Sequence, residues 1–175
     1  MLSKNDRRGR AAVLLAASLA GIFVFGAFLI PWLEARGTTT ATPFRLIYAP
    51  LCHQIDSRSL QSDVHPVAVC ARCTGLYLGG LAGLLLAAGF VVGRGRDPRS
   101  LWFAIAIAPT LIDALLPRVG LVGLPNVPRL LVALPAGLMA GVFLSIGIYD
   151  LVTSHKSIRS RGSGGPGAVV EEWDG

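Results

Sequence analysis

The 175-residue chain is 53% hydrophobic and 15% charged, with 16 Lys and Arg against 10 Asp and Glu. Soluble domains carry about 25% charged residues, and a mean hydropathy of +0.60 leaves too little polar sequence to coat a water-soluble fold. The net charge of +6 is no nucleic-acid signature, because the cations cluster beside apolar blocks, where they face anionic headgroups.

Residues 1–10 form a basic leader with Lys4, Arg7, Arg8 and Arg10, followed by an uncharged block at 11–33. A helix crosses the hydrocarbon core in roughly 20 residues. This block exceeds the ~7–15 apolar residues of a signal peptide, so it reads as a retained first span. Further spans are expected at about 74–93, 101–117 and 130–149, the third containing one acid, Asp113. Loops at 34–73 and 118–129 separate them on one side, and the membrane domain as a whole covers 11–153. The tail, 154–175, is Gly/Ser-rich, ends in Glu171-Glu172-Trp173-Asp174 and reads as disordered.

The expected fold is all-α: an integral membrane four-helix bundle of two hairpins, with a Cys/His loop at the outer face. Lys and Arg mark cytoplasmic ends of spans. The leader, the 94–99 loop and the tail together hold ten of the 16 cations. That bias predicts a multi-pass protein of the cell (cytoplasmic, inner) membrane with both termini in the cytoplasm. The lipid bilayer is the first partner. Four spans leave little room for a transport pathway unless the chain associates with another copy or a membrane partner.

Small residues recur every four positions in two spans: Gly75, Gly79 and Gly83 in the second, and Ala133, Gly137, Gly141 and Ser145 in the fourth. Such ridges let membrane helices approach closely where lipid competes with every apolar contact.

The chemistry concentrates between the first two spans. All three cysteines lie there, in Cys52-His53-Gln54 and in Cys70-Ala71-Arg72-Cys73-Thr74-Gly75. The Cys70/Cys73 spacing puts both sulfurs on one face of a starting helix. The helix N-terminus and Arg72 both favour thiolate. Cys52, Cys70 and Cys73 with His53 would make a Cys3His site suited to zinc or iron; His65 is an alternative fourth ligand. Thiol–disulfide chemistry and a structural disulfide are the competing uses of the same cysteines.

Asp113 is the one charge well inside an apolar block, and it needs a cation. Arg72, Arg118 and Arg129 fall on its side under the assigned topology. Arg58, Arg72, Asp113 and Arg129 are thus candidate reactive or substrate-contacting groups beside the Cys/His ligands.

The elements Cys52-His53-Gln54, Arg58-Ser59 and Cys70-Ala71-Arg72-Cys73-Thr74-Gly75-Leu76-Tyr77, with Asp113 and Asn126-Val127-Pro128-Arg129, resemble the signature of an uncharacterised prokaryotic membrane-protein family. The resemblance covers roughly residues 44–141. Ala114 stands where the family pattern has Gly, and Leu60 where an aromatic is usual. The resemblance implies one shared site and carries no activity. Three functions remain open: a metal or redox site contacting an anionic or quinone-like substrate; a protein like the quinone-linked thiol–disulfide oxidoreductases, which however use two cysteine pairs; or a non-enzymatic scaffold or accessory subunit stapled by a disulfide.

Overall fold

A computed structural model describes residues 4–37, 41–52, 54–61, 65–91 and 100–161. The elements run α1 Lys4–Ala35, α2 Ala41–Tyr48, β1 Ser59–Gln61, β2 Pro66–Cys70, α3 Ala71–Leu86, α4 Ser100–Leu115 and α5 Asn126–Arg161. A 3-10 turn at Asp56–Arg58 precedes β1, a π turn at Ala87–Val91 extends α3, and a second 3-10 turn at Leu116–Val119 extends α4. Among the described residues, four stretches are long and apolar enough to cross a membrane: Asp6–Ala35, Ala71–Gly89, Leu101–Val119 and Asn126–Thr153. The architecture is the expected all-α membrane bundle.

The helices outrun the blocks read from hydropathy. α1 begins at Lys4, so most of the basic leader is helical; Asp6 in its first turn complements the helix dipole. α5 starts at Asn126 and runs to Arg161, into the stretch read as tail. No Gly or Pro interrupts the sequence between Tyr149 and Gly162, and cations suit a helix C-terminus. Residues 162–175 lie outside the described residues. α1, α4 and α5 continue through Pro31, Pro109 and Pro135.

The bundle axis is the α3–α5 pair, its most extensive helix contact. A methyl group built on Gly75, Gly79 or Gly83 would overlap the carbonyls of Leu130, Leu134 and Leu138, and one on Gly137 or Gly141 those of Leu76 and Gly80. The two small-residue ridges therefore face each other, backbone against backbone. At that separation dispersion forces are large without any side-chain contribution. α1 and α4 pack on this axis from other sides, and α4 leaves Trp102, Ile105, Leu111 and Ile112 exposed, as lipid-facing residues should be.

The segment between α1 and α3 is more structured than a loop. β1 and β2 pair antiparallel, Ser59 opposite Cys70 and Gln61 opposite Pro66. Elements of three to eight residues are too short to show a hydrophobic period. α2 is anchored to α1: Arg45 reaches Glu34 at 2.6 and 3.0 Å and the Pro66 carbonyl at 2.9 Å. The Tyr48 hydroxyl donates to the Phe23 carbonyl at 2.7 Å, and the Phe23 ring also meets Tyr77 edge-on at 5.3 Å. The outward side of α2, with Phe44, Leu46 and Ile47 exposed, has the apolar pattern of a segment lying at a membrane interface.

Candidate functional site

Two pieces of chain, the turn after α2 and the β2–α3 junction, bring the cysteines together. Cys52 closes the turn after α2, its N–H donating to the Tyr48 carbonyl at 2.9 Å. Cys70 ends β2 and caps α3, and Cys73 lies in the first turn of α3. Their sulfurs lie within 4.8 Å of one another. All three are free thiols; Cys52 is buried and the other two half-buried.

The hairpin sets this geometry. Pairing of Ser59 with Cys70 delivers Cys70 beside the 50s turn, and the Cys70 N–H donates to Cys52 Sγ at 3.2 Å. Thr74 closes the first turn by donating to the Cys70 carbonyl at 3.2 Å. A hydrogen bond from the Cys73 thiol lowers the Cys70 pKa, and the Cys73 amide, Cys52 and the charge of Arg72 act in the same direction against desolvation. Cys70 is the sulfur favoured to carry negative charge.

Next to the sulfurs lies a charge cluster from three helices. Asp113, 1% exposed, accepts from Arg72 of α3 through Nε at 3.2 Å and through Nη2 as well. Arg129 of α5, 7% exposed, donates its Nε to the same oxygen at 3.2 Å. The other carboxylate oxygen accepts the Leu124 N–H at 3.1 Å. Gly120, at φ 79°, supplies the left-handed residue that ends the 3-10 turn and directs residues 121–125 back over the acid. Gly123 fits there because a side chain would press on Arg129 Nη2, 2.9 Å from where its Cβ would stand.

Asn126 joins the two halves. Its amide donates to the Ser59 carbonyl at 2.9 Å and the Ser57 carbonyl at 3.3 Å, holding the start of α5 against the cysteine-bearing segment. Between the sulfurs and the ion pairs is a cavity of about 490 Å3, whose lining includes all three cysteines and Arg58, Arg72, Arg118 and Arg129.

The structure thus gathers Cys52, Cys70, Cys73, Arg58, Arg72 and Arg129 around one cavity, with Asp113 beneath them. His53 lies outside the described residues. His65 is not a member of the sulfur cluster. Of the three cations weighed for Asp113, Arg72 and Arg129 pair with it, whereas Arg118 forms no ion pair among the described residues. The support shell was not legible: the Leu124 amide donates through the backbone, and the Glu34–Arg45 pair that fixes α2 has a signal only in the acid at the end of the first apolar block.

Residues 52–143 match the family described as "Predicted membrane protein (DUF2085)". The chain belongs to this family. The matched region begins at Cys52 and takes in all three cysteines, Asp113 and Arg129. The chain is similar to the uncharacterized protein MJ1492 of Methanocaldococcus jannaschii, 31% identical over 108 residues, covering 57% of this chain and 69% of that protein. It is also similar to an uncharacterized protein of Methanothermobacter thermautotrophicus, 31% identical over 97 residues, covering 55% of this chain and 86% of the relative. No solved structure matches it.

Proposed function

We propose that this DUF2085 membrane protein carries a metal centre at the cysteine-bearing end of its bundle. Cys52, Cys70 and Cys73 supply three thiolates for zinc or iron, and His53 supplies the fourth ligand. The observation that carries the reading is the approach of three sulfurs to within 4.8 Å, from segments that are 18 and three residues apart in sequence. Thiolates at about 2.3 Å from a tetrahedral zinc are separated by under 4 Å, so small side-chain rotations close the set. The Cys70 amide on Cys52 Sγ and the positive field of Arg72 both stabilise sulfur-borne negative charge. Arg58, Arg72 and Arg129, with Asp113 holding two of them, orient whatever binds beside the metal.

The cation bias of the sequence supports an outer-face position for this site and cytoplasmic termini. Elemental analysis of the purified protein tests the centre: about one zinc or iron per chain is expected, lost in Cys73→Ser and in Cys52→Ser. A stable wild type free of both metals would overturn it. A membrane-impermeant maleimide applied to intact cells tests the sidedness; cysteines that label only after lysis refute an outer-face site.

A second reading, thiol–disulfide exchange, is favoured by the approach of Cys73 Sγ to Cys70 Sγ, within 4.8 Å across one turn of chain. In it the Cys70 thiolate attacks a partner disulfide and displaces one partner thiolate. Cys73 then displaces the other, leaving a Cys70–Cys73 disulfide and a reduced partner. A mixed disulfide trapped with Cys73→Ser supports this reading, and its absence under oxidising conditions excludes it.

A further inference from the structure

The cavity wall facing the sulfurs has a charge imbalance that the metal centre does not use. Four guanidinium groups line it, from Arg58, Arg72, Arg118 and Arg129, and among the described residues Asp113 is the one carboxylate paired with them. Arg72 and Arg129 share that carboxylate. Arg129 commits only its Nε to it, leaving both Nη groups without a hydrogen bond among the described residues. Arg58 and Arg118 are exposed and have no side-chain partner there at all.

We propose that the cavity binds a phosphate-type oxyanion, borne on a lipid headgroup or free in solution. The proposal names the ligand class of the metal-bearing site and rests on that reading for the identity of the site. Three features point to it. Guanidinium forks match the oxygens of phosphate with paired donors. Repulsion among the four cations, only partly offset by one acid, is relieved when a dianion enters. The cavity, about 490 Å3, far exceeds a bare phosphate, given that one water takes up about 30 Å3. Its remaining walls include Leu51, Ile55 and Pro117, which offer an apolar body a place beside the anion. Leu51 and Ile55 of this lining are themselves exposed, so an ester arriving from the lipid phase meets apolar side chains beside the arginines.

The test is titration calorimetry on the full-length protein in a neutral detergent at low ionic strength. The probes are inorganic phosphate, dihexanoyl phosphatidic acid and, as a charge-balanced control, dihexanoyl phosphatidylcholine. Saturable binding is expected, at least tenfold weaker in Arg58→Gln/Arg118→Gln. Those two exposed side chains make no hydrogen bond or ion pair among the described residues, so the variant is expected to stay folded. It should be unchanged in Arg7→Gln/Arg8→Gln, which removes two exposed cations from the opposite end of α1. Phosphatidic acid binding tenfold or more tighter than inorganic phosphate assigns the site to a lipid headgroup; a smaller ratio assigns it to the soluble ion. No saturable binding of either probe overturns the proposal, as does binding that is indifferent to Arg58→Gln/Arg118→Gln. Metal content of the same sample keeps the two readings apart. A metal-free wild type that binds phosphate refutes the centre alone, and a metal-loaded one that binds none refutes the anion site alone.

Discussion

Arg72 crosses from the first turn of α3 to Asp113 near the end of α4, while its sequence neighbour Cys73 turns toward Cys52 and Cys70. Two adjacent residues thus serve two clusters, and the same helical turn positions the sulfurs and the carboxylate.

Asp113→Asn removes the charge that Arg72 and Arg129 share. Breaking a buried pair by deleting one partner costs about 3–5 kcal/mol, because the remaining charge stays desolvated. Unfolding of the variant in mixed detergent should shift by an amount in that range. An unshifted midpoint would mean that water reaches the guanidinium groups freely.

Gly79→Val should disrupt the α3–α5 seam, since its Cβ would collide with the Leu134 carbonyl. Overpacking costs about 1–3 kcal/mol where side chains yield, and backbone on both sides yields less. Gly147→Ala is the matched control, for nothing lies within 4 Å of an added methyl there. Yield of monodisperse protein should fall for Gly79→Val and hold for Gly147→Ala; equal yields for both would place the helices farther apart.

Asn126→Ala leaves the Ser57 and Ser59 carbonyls without their side-chain donor. A lost hydrogen bond of this kind costs about 1 kcal/mol, and the effect should be local. Faster hydrogen exchange is expected over 57–61 and 66–70, with the α3–α5 contact keeping its protection.

Cys70 should be the most readily alkylated of the three thiols in metal-stripped protein. Its pKa is lowered, chiefly by the Cys73 hydrogen bond, so the thiolate persists as pH falls through the ordinary thiol range and is lost only below the lowered value. Iodoacetamide labelling followed by peptide mass spectrometry at pH 6.5 and pH 8.5 should show Cys70 losing far less rate than the roughly fiftyfold drop of an ordinary thiol. Added zinc should protect it; labelling indifferent to zinc counts against the metal centre.

Much of this organisation was legible in sequence because the membrane imposes simple rules. Uncharged blocks of about 20 residues mark spans, and glycines four apart mark the seam that α3 and α5 form. Asp113 announced its need for a cation by lying in an apolar block. Helix ends were less legible: Lys4 to Arg10 and Asp150 to Arg161 are polar, and hydropathy ends a span where the hydrocarbon ends, whereas the backbone continues while nothing breaks it. The hairpin Ser59–Gln61/Pro66–Cys70 escaped because its strands are three and five residues long. Which arginines pair with Asp113 was undecidable from spacing, since Arg72, Arg118 and Arg129 all lie at the same end and only the packing of α3, α4 and α5 distinguishes them.

The Asp113 cluster also bears on how the protein is made. α4 turns much of its surface outward, and among the described residues its polar side-chain ties to the rest are Asp113 and the Thr110 hydroxyl on the Val132 carbonyl at 2.9 Å. Chains are synthesised N-terminus first, so Arg72 enters the membrane ahead of Asp113, and Arg129 follows. The acid therefore emerges to find a countercharge already waiting on α3, and the α3–α4 hairpin can leave the insertion machinery neutralised. Arrival of α5 then clamps the pair from the far side. A circular permutant opened between α3 and α4 would deliver Asp113 ahead of Arg72 and leave the acid in lipid with no countercharge until α5 arrives, even though the finished bundle would contain every contact.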